Sequence, residues 1–251
     1  MVSGSFALGQ ANRLLMALPA RQIKRLRPAL RPVFVDIKTV LFEPGEAVDF
    51  VDFPRNCVIS LVTPLKDGAV VEVATVGREG IVGVPLLLGG SLIVRAVSSV
   101  AGWVDRIDAS AFLTEVAHSG PLRDVVADYL QALFGQISQA AACNRLHSNE
   151  ARLSRWLLMT RERVGTDDFA VTHEFLAQML GSTRPTVTLS AQTLQAAGVI
   201  TYHAGRVTIV DRAGLESLAC ECYGVIKIAL DAVVDRALHR GHGGTTQFPM
   251  E

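Results

Sequence analysis

Residues 172–210 constrain this chain more than any other stretch. Thr172 is a good N-cap, and Glu174 falls in the first turn, where the helix dipole favours a negative charge. Phe175, Leu176, Met179 and Leu180 recur at helical spacing, and Ala177 is small where two helices must cross closely. Gly181 suits the left-handed conformation that ends a helix and turns the chain. Ser182 or Thr183 caps a second helix, and Pro185 suits its first turn. Val187, Ala191 and Leu194 form its inward face, while Arg184, Thr186, Thr188 and Leu189 point outward. After Gly198 the period changes, and 199–202 and 207–210 read as short strands joined through His203, Ala204, Gly205 and Arg206. Helix, turn, helix and hairpin in this order make a winged helix-turn-helix, whose second helix fits the DNA major groove. The bland alternative is a helical pair packed on a β-hairpin. The coincidence of cap, Ala–Gly spacing, Arg184 and wing favours DNA.

These residues carry a resemblance. Thr172, Leu176, Ala177, Leu180, Gly181, Arg184, Thr186 and Val187, then Leu194, Gly198 and Ile200, then Gly205, Arg206 and Ile209, resemble the Crp/Fnr family of transcription regulators. The segments 211–215 and 220–224 are similar to the tail of one subgroup with an uncharacterised effector. The resemblance covers nearly the whole chain and is most specific in its C-terminal third. It implies an α+β protein: an N-terminal double-stranded β-helix or jelly-roll sensor domain, a long dimerisation helix and a C-terminal winged helix-turn-helix. It implies a homodimer acting on a roughly palindromic site, with double-stranded DNA and RNA polymerase as partners. DNA contacts are expected at Ser182, Thr183, Arg184, Pro185, Thr186, Thr188 and Leu189 of the second helix and at Arg206 of the wing. Arg184 is expected to read a base and Arg206 to touch the backbone. Pro185 and Leu189 stand where cyclic-AMP-type relatives place Glu and Arg, and Ser190 replaces a usual core aliphatic, so the sequence read is not the familiar Crp site.

The rest of the chain reads consistently. With 251 residues, 49% of them apolar, it is long enough for two small domains with real cores. Its formal charge is zero, which argues mildly against a nucleic-acid partner. Between Ala151 and Arg212, however, there are seven Arg, five acidic residues and no Lys, and the Arg fork suits phosphates and guanine edges. Residues 1–12 are expected to be disordered. From Arg13 to about Leu30 the apolar face Leu14, Leu15, Leu18, Ile23 and Leu26 predicts helix, broken at Pro19, with Arg21, Lys24, Arg25, Arg27 and Arg31 on a solvated face. From Val33 to Ile107 short apolar runs alternate with turn clusters, the mark of a β-roll. Asp108 caps a short helix, and Gly120 and Pro121 open a long one. Its residues Leu122, Val126, Tyr129, Leu133, Ile137, Ala140 and Ala141, flanked by Leu130 and Phe134, are too apolar for an isolated surface helix and suggest a second copy of the chain. Ser148 begins another helix, and a last one is expected from Gly214 to about His239. The expected division is 1–119 sensor, 120–147 dimerisation helix, 148–240 DNA-binding domain and 241–251 disordered tail.

Other functions have less support. In cyclic-AMP-binding relatives the phosphate cassette, which residues 77–83 resemble at its start, carries a Glu and an Arg-Ser pair. The matching positions hold Val84 or Pro85, and Leu92 with Ile93, where a buried phosphate would be unpaired. The effector is left open between an apolar ligand, another nucleotide and none. No His occurs from 1 to 117, which removes the metal site of a cupin-type enzyme, and no catalytic constellation stands out. No cofactor or metal is expected. Cys220 and Cys222 read as core-packed thiols, because residues i and i+2 of a helix point to different sides. Cys57, Cys143, Cys220 and Cys222 make no paired framework, and no segment suits a membrane span, so a cytoplasmic protein with reduced thiols is expected. The competing class is a ligand-sensing or scaffold protein whose winged helix contacts protein.

Overall fold

The computed structural model describes residues 11–66, 68–83, 93–118 and 120–241. The chain opens with helices α1 (Arg13–Ala17) and α2 (Ala20–Leu26), interrupted at Pro19 and followed by a short 3-10 turn. Asn12, expected to lie in a disordered arm, is instead buried. Its Oδ1 accepts from the Leu14 and Leu15 amides, and its Nδ2 donates to the Pro54 and Gly80 carbonyls at 3.0 and 2.8 Å. One side chain thus caps a helix and pins it to the roll.

The strands β1 (Arg31–Val35), β2 (Val40–Phe42), β3 (Phe50–Pro54), β4 (Val58–Pro64), β5 (Val70–Val76), β6 (Arg95–Val100) and β7 (Gly102–Asp108) follow. They form two antiparallel sheets, β1-β7-β3 and β2-β6-β4-β5. This is the expected β-roll, for which jelly roll is a loose term. Phe53, Ile59, Val104 and Ile107 fill its core. The candidate phosphate-site positions Val84, Pro85 and Leu92 lie outside the described residues. Ile93 is 79% exposed, and Arg95 is paired with Glu43 at 2.7 Å.

Helix α3 (Ala109–His118) leads into α4 (Gly120–Leu146). On α4, Leu122, Val126, Tyr129, Leu133 and Ala140 are buried as expected, joined by Val125, Ala132, Gln136 and Cys143. Ala127, Phe134, Ile137 and Ala141 are exposed, with Leu130 half-buried between them. Ser148 caps α5 (Asn149–Val164), which ends at left-handed Gly165. A short strand, β8 (Asp168–Ala170), comes next, where a plain break was expected. The winged module continues through α6 (His173–Met179), α7 (Arg184–Ala196), β9 (Ile200–His203) and β10 (Arg206–Ile209). The single expected last helix is two, α8 (Arg212–Leu218) and α9 (Cys222–Gly241), with a turn at 219–221. Helix α9 returns to the N-terminal core, where Ile226, Leu230, Val233 and Val234 join the cluster containing Leu14 and Leu122.

Strand β5 is the junction between roll and winged module. Arg163 of α5 donates to Thr75 Oγ1 at 2.7 Å, to the Thr75 carbonyl at 3.0 Å and to Glu79 Oε1 at 2.7 Å, all buried. Gln136 of α4 also donates to the Thr75 carbonyl, at 3.1 Å. A β-carbon at Gly77 would fall 2.2 Å from the Arg163 Cγ, so only glycine admits that side chain. Buried Glu72 accepts from Ser60 Oγ at 2.6 Å and from Trp156 Nε1 at 3.4 Å.

The wing tip is a two-residue turn with positive φ at both Ala204 (47°) and Gly205 (77°). That is the hairpin turn that matches strand twist and prefers Asn-Gly. Alanine meets a steric penalty there that asparagine largely avoids. Ala204→Asn is expected to stabilise the chain by about 1 kcal/mol in urea unfolding; an unchanged midpoint would contradict the strain.

Candidate nucleic-acid interface

The helix pair is built by local chemistry. Thr172 Oγ1 accepts from the Phe175 amide at 3.1 Å, capping α6. Gly181 takes φ of 55°, as the turn requires, and the Ser182 amide closes back on the Ala177 carbonyl at 2.9 Å. Thr183, rather than Ser182, is the N-cap of α7, accepting from the Thr186 amide at 3.4 Å. Val187, Ala191 and Leu194 are buried against Leu153, Leu157, Phe175 and Leu176. Ser190 is buried too, and its hydroxyl donates to Glu150 Oε1 at 2.8 Å, which satisfies a polar group where an aliphatic residue would pack.

The expected contact residues separate into two groups. Arg184, Pro185 and Leu189 stand exposed on α7, with Ser182 and Thr186 half-exposed beside them. Leu189 keeps 63% of its surface. Thr183 is exposed but engaged, its hydroxyl 2.8 Å from that of Thr186. Thr188 is turned inward: its hydroxyl donates to the Arg184 carbonyl and lies 2.9 Å from His173 Nδ1. Gln192 lies three residues beyond Leu189 and is exposed on the same helix, a spacing that puts the two side by side.

His173 adds a contact that the local sequence pattern does not announce. Its ring packs on Tyr202 with centroids 4.2 Å apart, and the Tyr202 hydroxyl donates to the Val171 carbonyl. Burial first, and then the Arg184 cation, hold its pKa below the ordinary histidine value. The neutral ring therefore ties α6, the second helix and the wing together. Since the Thr188 hydroxyl donates to the Arg184 carbonyl, Nδ1 is the protonated nitrogen.

On the wing, β10 pairs with both β9 and β8, giving the order β8-β10-β9. Arg206 is exposed and forms an ion pair with Asp168 of β8, which also accepts from Thr208 Oγ1 at 2.9 Å. These contacts hold the Asp168 carboxyl below its usual range.

The arginines of this region are mostly engaged internally. Arg152, Arg155 and Arg163 are buried. Arg161 pairs with Asp167, Arg206 with Asp168, and Arg212 with Glu162 and Glu216. Among the described residues, Arg184 is the one arginine between 151 and 212 that is exposed and outside an ion pair. It occupies the first position of α7, where unpaired amides add to the positive potential.

The chain thus joins a β-roll, through a long helix, to a three-stranded winged helix-turn-helix. Residues 151–218 match the Crp-like helix-turn-helix domain. Among solved structures, FixK2 from Bradyrhizobium japonicum is similar with a TM-score of 0.66 at 15% identity, covering 76% of this chain and 98% of that one. A CRP-family transcriptional regulator from Thermus thermophilus is similar with a TM-score of 0.59 at 21% identity, covering 75% and 96%. No curated protein sequence matches the chain. The C-terminal module is thus similar to a Crp-like helix-turn-helix domain, and the fold of the chain is shared with these solved regulators. No helix among the described residues is long and apolar enough to cross a membrane.

Proposed function

We propose that this chain is a cytoplasmic, non-enzymatic regulator that binds a roughly palindromic DNA site as a homodimer. The observation that carries the reading is the isolation of Arg184: every other arginine of the module is buried or neutralised, and this one projects from the start of the second helix. In this reading Arg184 contacts a base edge. Ser182, Thr183, Pro185, Thr186 and Leu189 line the groove, and Thr188 acts by fixing His173 as well as by any DNA contact. Arg206 exchanges Asp168 for a phosphate.

The dimer reading rests on α4. Ala127, Leu130, Phe134, Ile137 and Ala141 follow one another at three- and four-residue steps, and Phe134 is 72% exposed. Such a stripe suits a parallel partner helix with the same stripe. Two-fold symmetry then sets two recognition helices about one DNA turn apart. The division of labour is a sensor over 1–119, a dimerisation helix over 120–147 and a DNA-binding part over 148–240, with RNA polymerase as a further partner. The effector, if one is used, is a small molecule other than a classical cyclic nucleotide.

The test is selection of bound duplexes from a random pool with the purified full chain and no added ligand. A two-fold-symmetric site, bound with an affinity that falls steeply with salt, is the expected result. No enrichment, or salt-independent binding, would overturn the DNA reading in favour of protein contacts.

A further inference from the structure

Cys220 and Cys222 are not both helical. Cys222 begins α9, whereas Cys220 lies ahead of it in the turn, where its carbonyl accepts from the Tyr223 amide at 3.1 Å. The divergence expected of two helical residues therefore does not apply. Both thiols face Cys143 and His147, an i, i+4 pair at the end of α4. The four potential ligand atoms lie within 4.8 Å of one another. We propose that Cys143, His147, Cys220 and Cys222 form a mononuclear metal site, filled by zinc, that fastens the end of the long helix to the α8–α9 turn.

Three observations converge. The first is spacing. Cys143 Sγ is 3.6 Å from Cys220 Sγ, and Cys222 Sγ is 3.5 Å from His147 Nδ1. Tetrahedral zinc, with Zn–S of about 2.3 Å and Zn–N of about 2.0 Å, needs ligand edges of about 3.5–3.8 Å. An iron–sulfur cluster attaches its ligands to separate irons and requires a wider set. Three sulfurs and one imidazole are a soft donor set suited to zinc and closed to the oxygen-seeking cations.

The second is the surroundings of the ligands. With Nδ1 directed at the sulfurs, His147 Nε2 lies 3.2 Å from Glu221 Oε2. A carboxylate on the far nitrogen is what orients a metal-bound histidine and fixes its tautomer. Gln139 Nε2 lies 3.1 Å from Cys222 Sγ, an N–H donor for a thiolate.

The third is charge. Three thiolates, a neutral imidazole and a divalent ion sum to one negative charge. Arg152 and Arg155 are buried, form no ion pair among the described residues, and lie within electrostatic reach of Cys143 and Cys220. The Nε of each is buried without a hydrogen-bond partner among the described residues. A bound anionic centre supplies a counter-charge to Arg152 and a second one, beside the Glu72 carboxyl, to Arg155.

The ion would act at a sensitive place. Residue 147 immediately precedes the Ser148 cap of α5, where the chain leaves α4 for the winged module. The site leaves the DNA-facing side of α7 untouched, so it stands or falls independently of the DNA reading.

The test uses the full chain, reduced and stripped of metal, titrated with cobalt(II). One cobalt per chain is expected, with the visible bands of a tetrahedral ion and thiolate charge transfer, bleached by equimolar zinc. Cys143→Ser and Cys222→Ser should abolish the bands, whereas Cys57→Ser should keep them. Glu221→Gln, at an exposed position that the fold tolerates, should weaken cobalt binding about tenfold without moving the bands. Zinc should raise the melting temperature of the parent chain but not of the two ligand variants, whose metal-free melting checks that they fold. Absence of tetrahedral bands in the reduced chain, or bands that survive in folded Cys143→Ser or Cys222→Ser, would overturn the site.

Discussion

Replacing Arg184 by alanine is expected to remove about 1–3 kcal/mol of discrimination at a single base pair of the selected site, with little change in binding to random duplex. The expectation follows from chemistry and position. Arg184 is the first residue of α7, exposed and outside any ion pair among the described residues. Its fork is free to make two parallel hydrogen bonds to a guanine edge. Arg206→Ala should behave differently. Without its cation on a phosphate, all sequences should be bound more weakly alike, and the salt dependence should become shallower by about one unit. The drop should be moderated because Asp168 already holds Arg206 in the free protein, so DNA must displace an existing partner. Competition binding with single-base variants distinguishes the two. If Arg184→Ala keeps its selectivity, the assignment of that residue fails.

The second large effect concerns pH. Burial pushes the Glu72 carboxyl up to about 7, against the opposing hydrogen bond from Ser60 and the Arg155 charge. In the unfolded chain it titrates near 4.5. Below that value both states are protonated and Glu72 contributes no pH dependence. As pH rises from 4.5 to 7 the unfolded state ionises first, so stability falls. Above 7 the folded state must ionise as well, and the loss levels off at about 3 kcal/mol. Glu72→Gln keeps the acceptor for Ser60 and Trp156 and removes the charge. It should be more stable than the parent at pH 8 by up to about 3 kcal/mol, with the difference shrinking towards pH 5. Chemical denaturation of both chains across that range checks this, and parallel profiles would refute it. Because Glu72 lies on β5 against Trp156 of α5, the loss should fall on the junction between roll and winged module.

The winged module was legible in the sequence because its determinants are local. Thr172, Gly181, Thr183 and Pro185 each act within one turn, and Val187, Ala191 and Leu194 announce their face by spacing alone. The long helix was legible for the same reason, as was Ser148 at the start of α5. What escaped depends on partners far away in the chain. Strand β8 is three residues long and exists because β10 pairs with it. Asn12 is ordered by carbonyls 42 and 68 residues away. The internal use of the arginines was also hidden, since composition counts charges without saying which are already neutralised. The cysteine cluster required knowing that the last helix breaks at 219–221, in a segment with no Pro or Gly to announce it.

Gly77 gives the molecule a keyed joint. The aliphatic stem of Arg163 lies where any other residue at 77 would put its first carbon, and its guanidinium is locked to Thr75 and Glu79. A key of that shape has no half-turned position: a small slide along β5 loses the hydrogen bonds while the stem still blocks the gap. Close packing therefore leaves α5 one well-defined seat on the roll, and that single seat fixes where the helices that follow α5 stand relative to the two sheets.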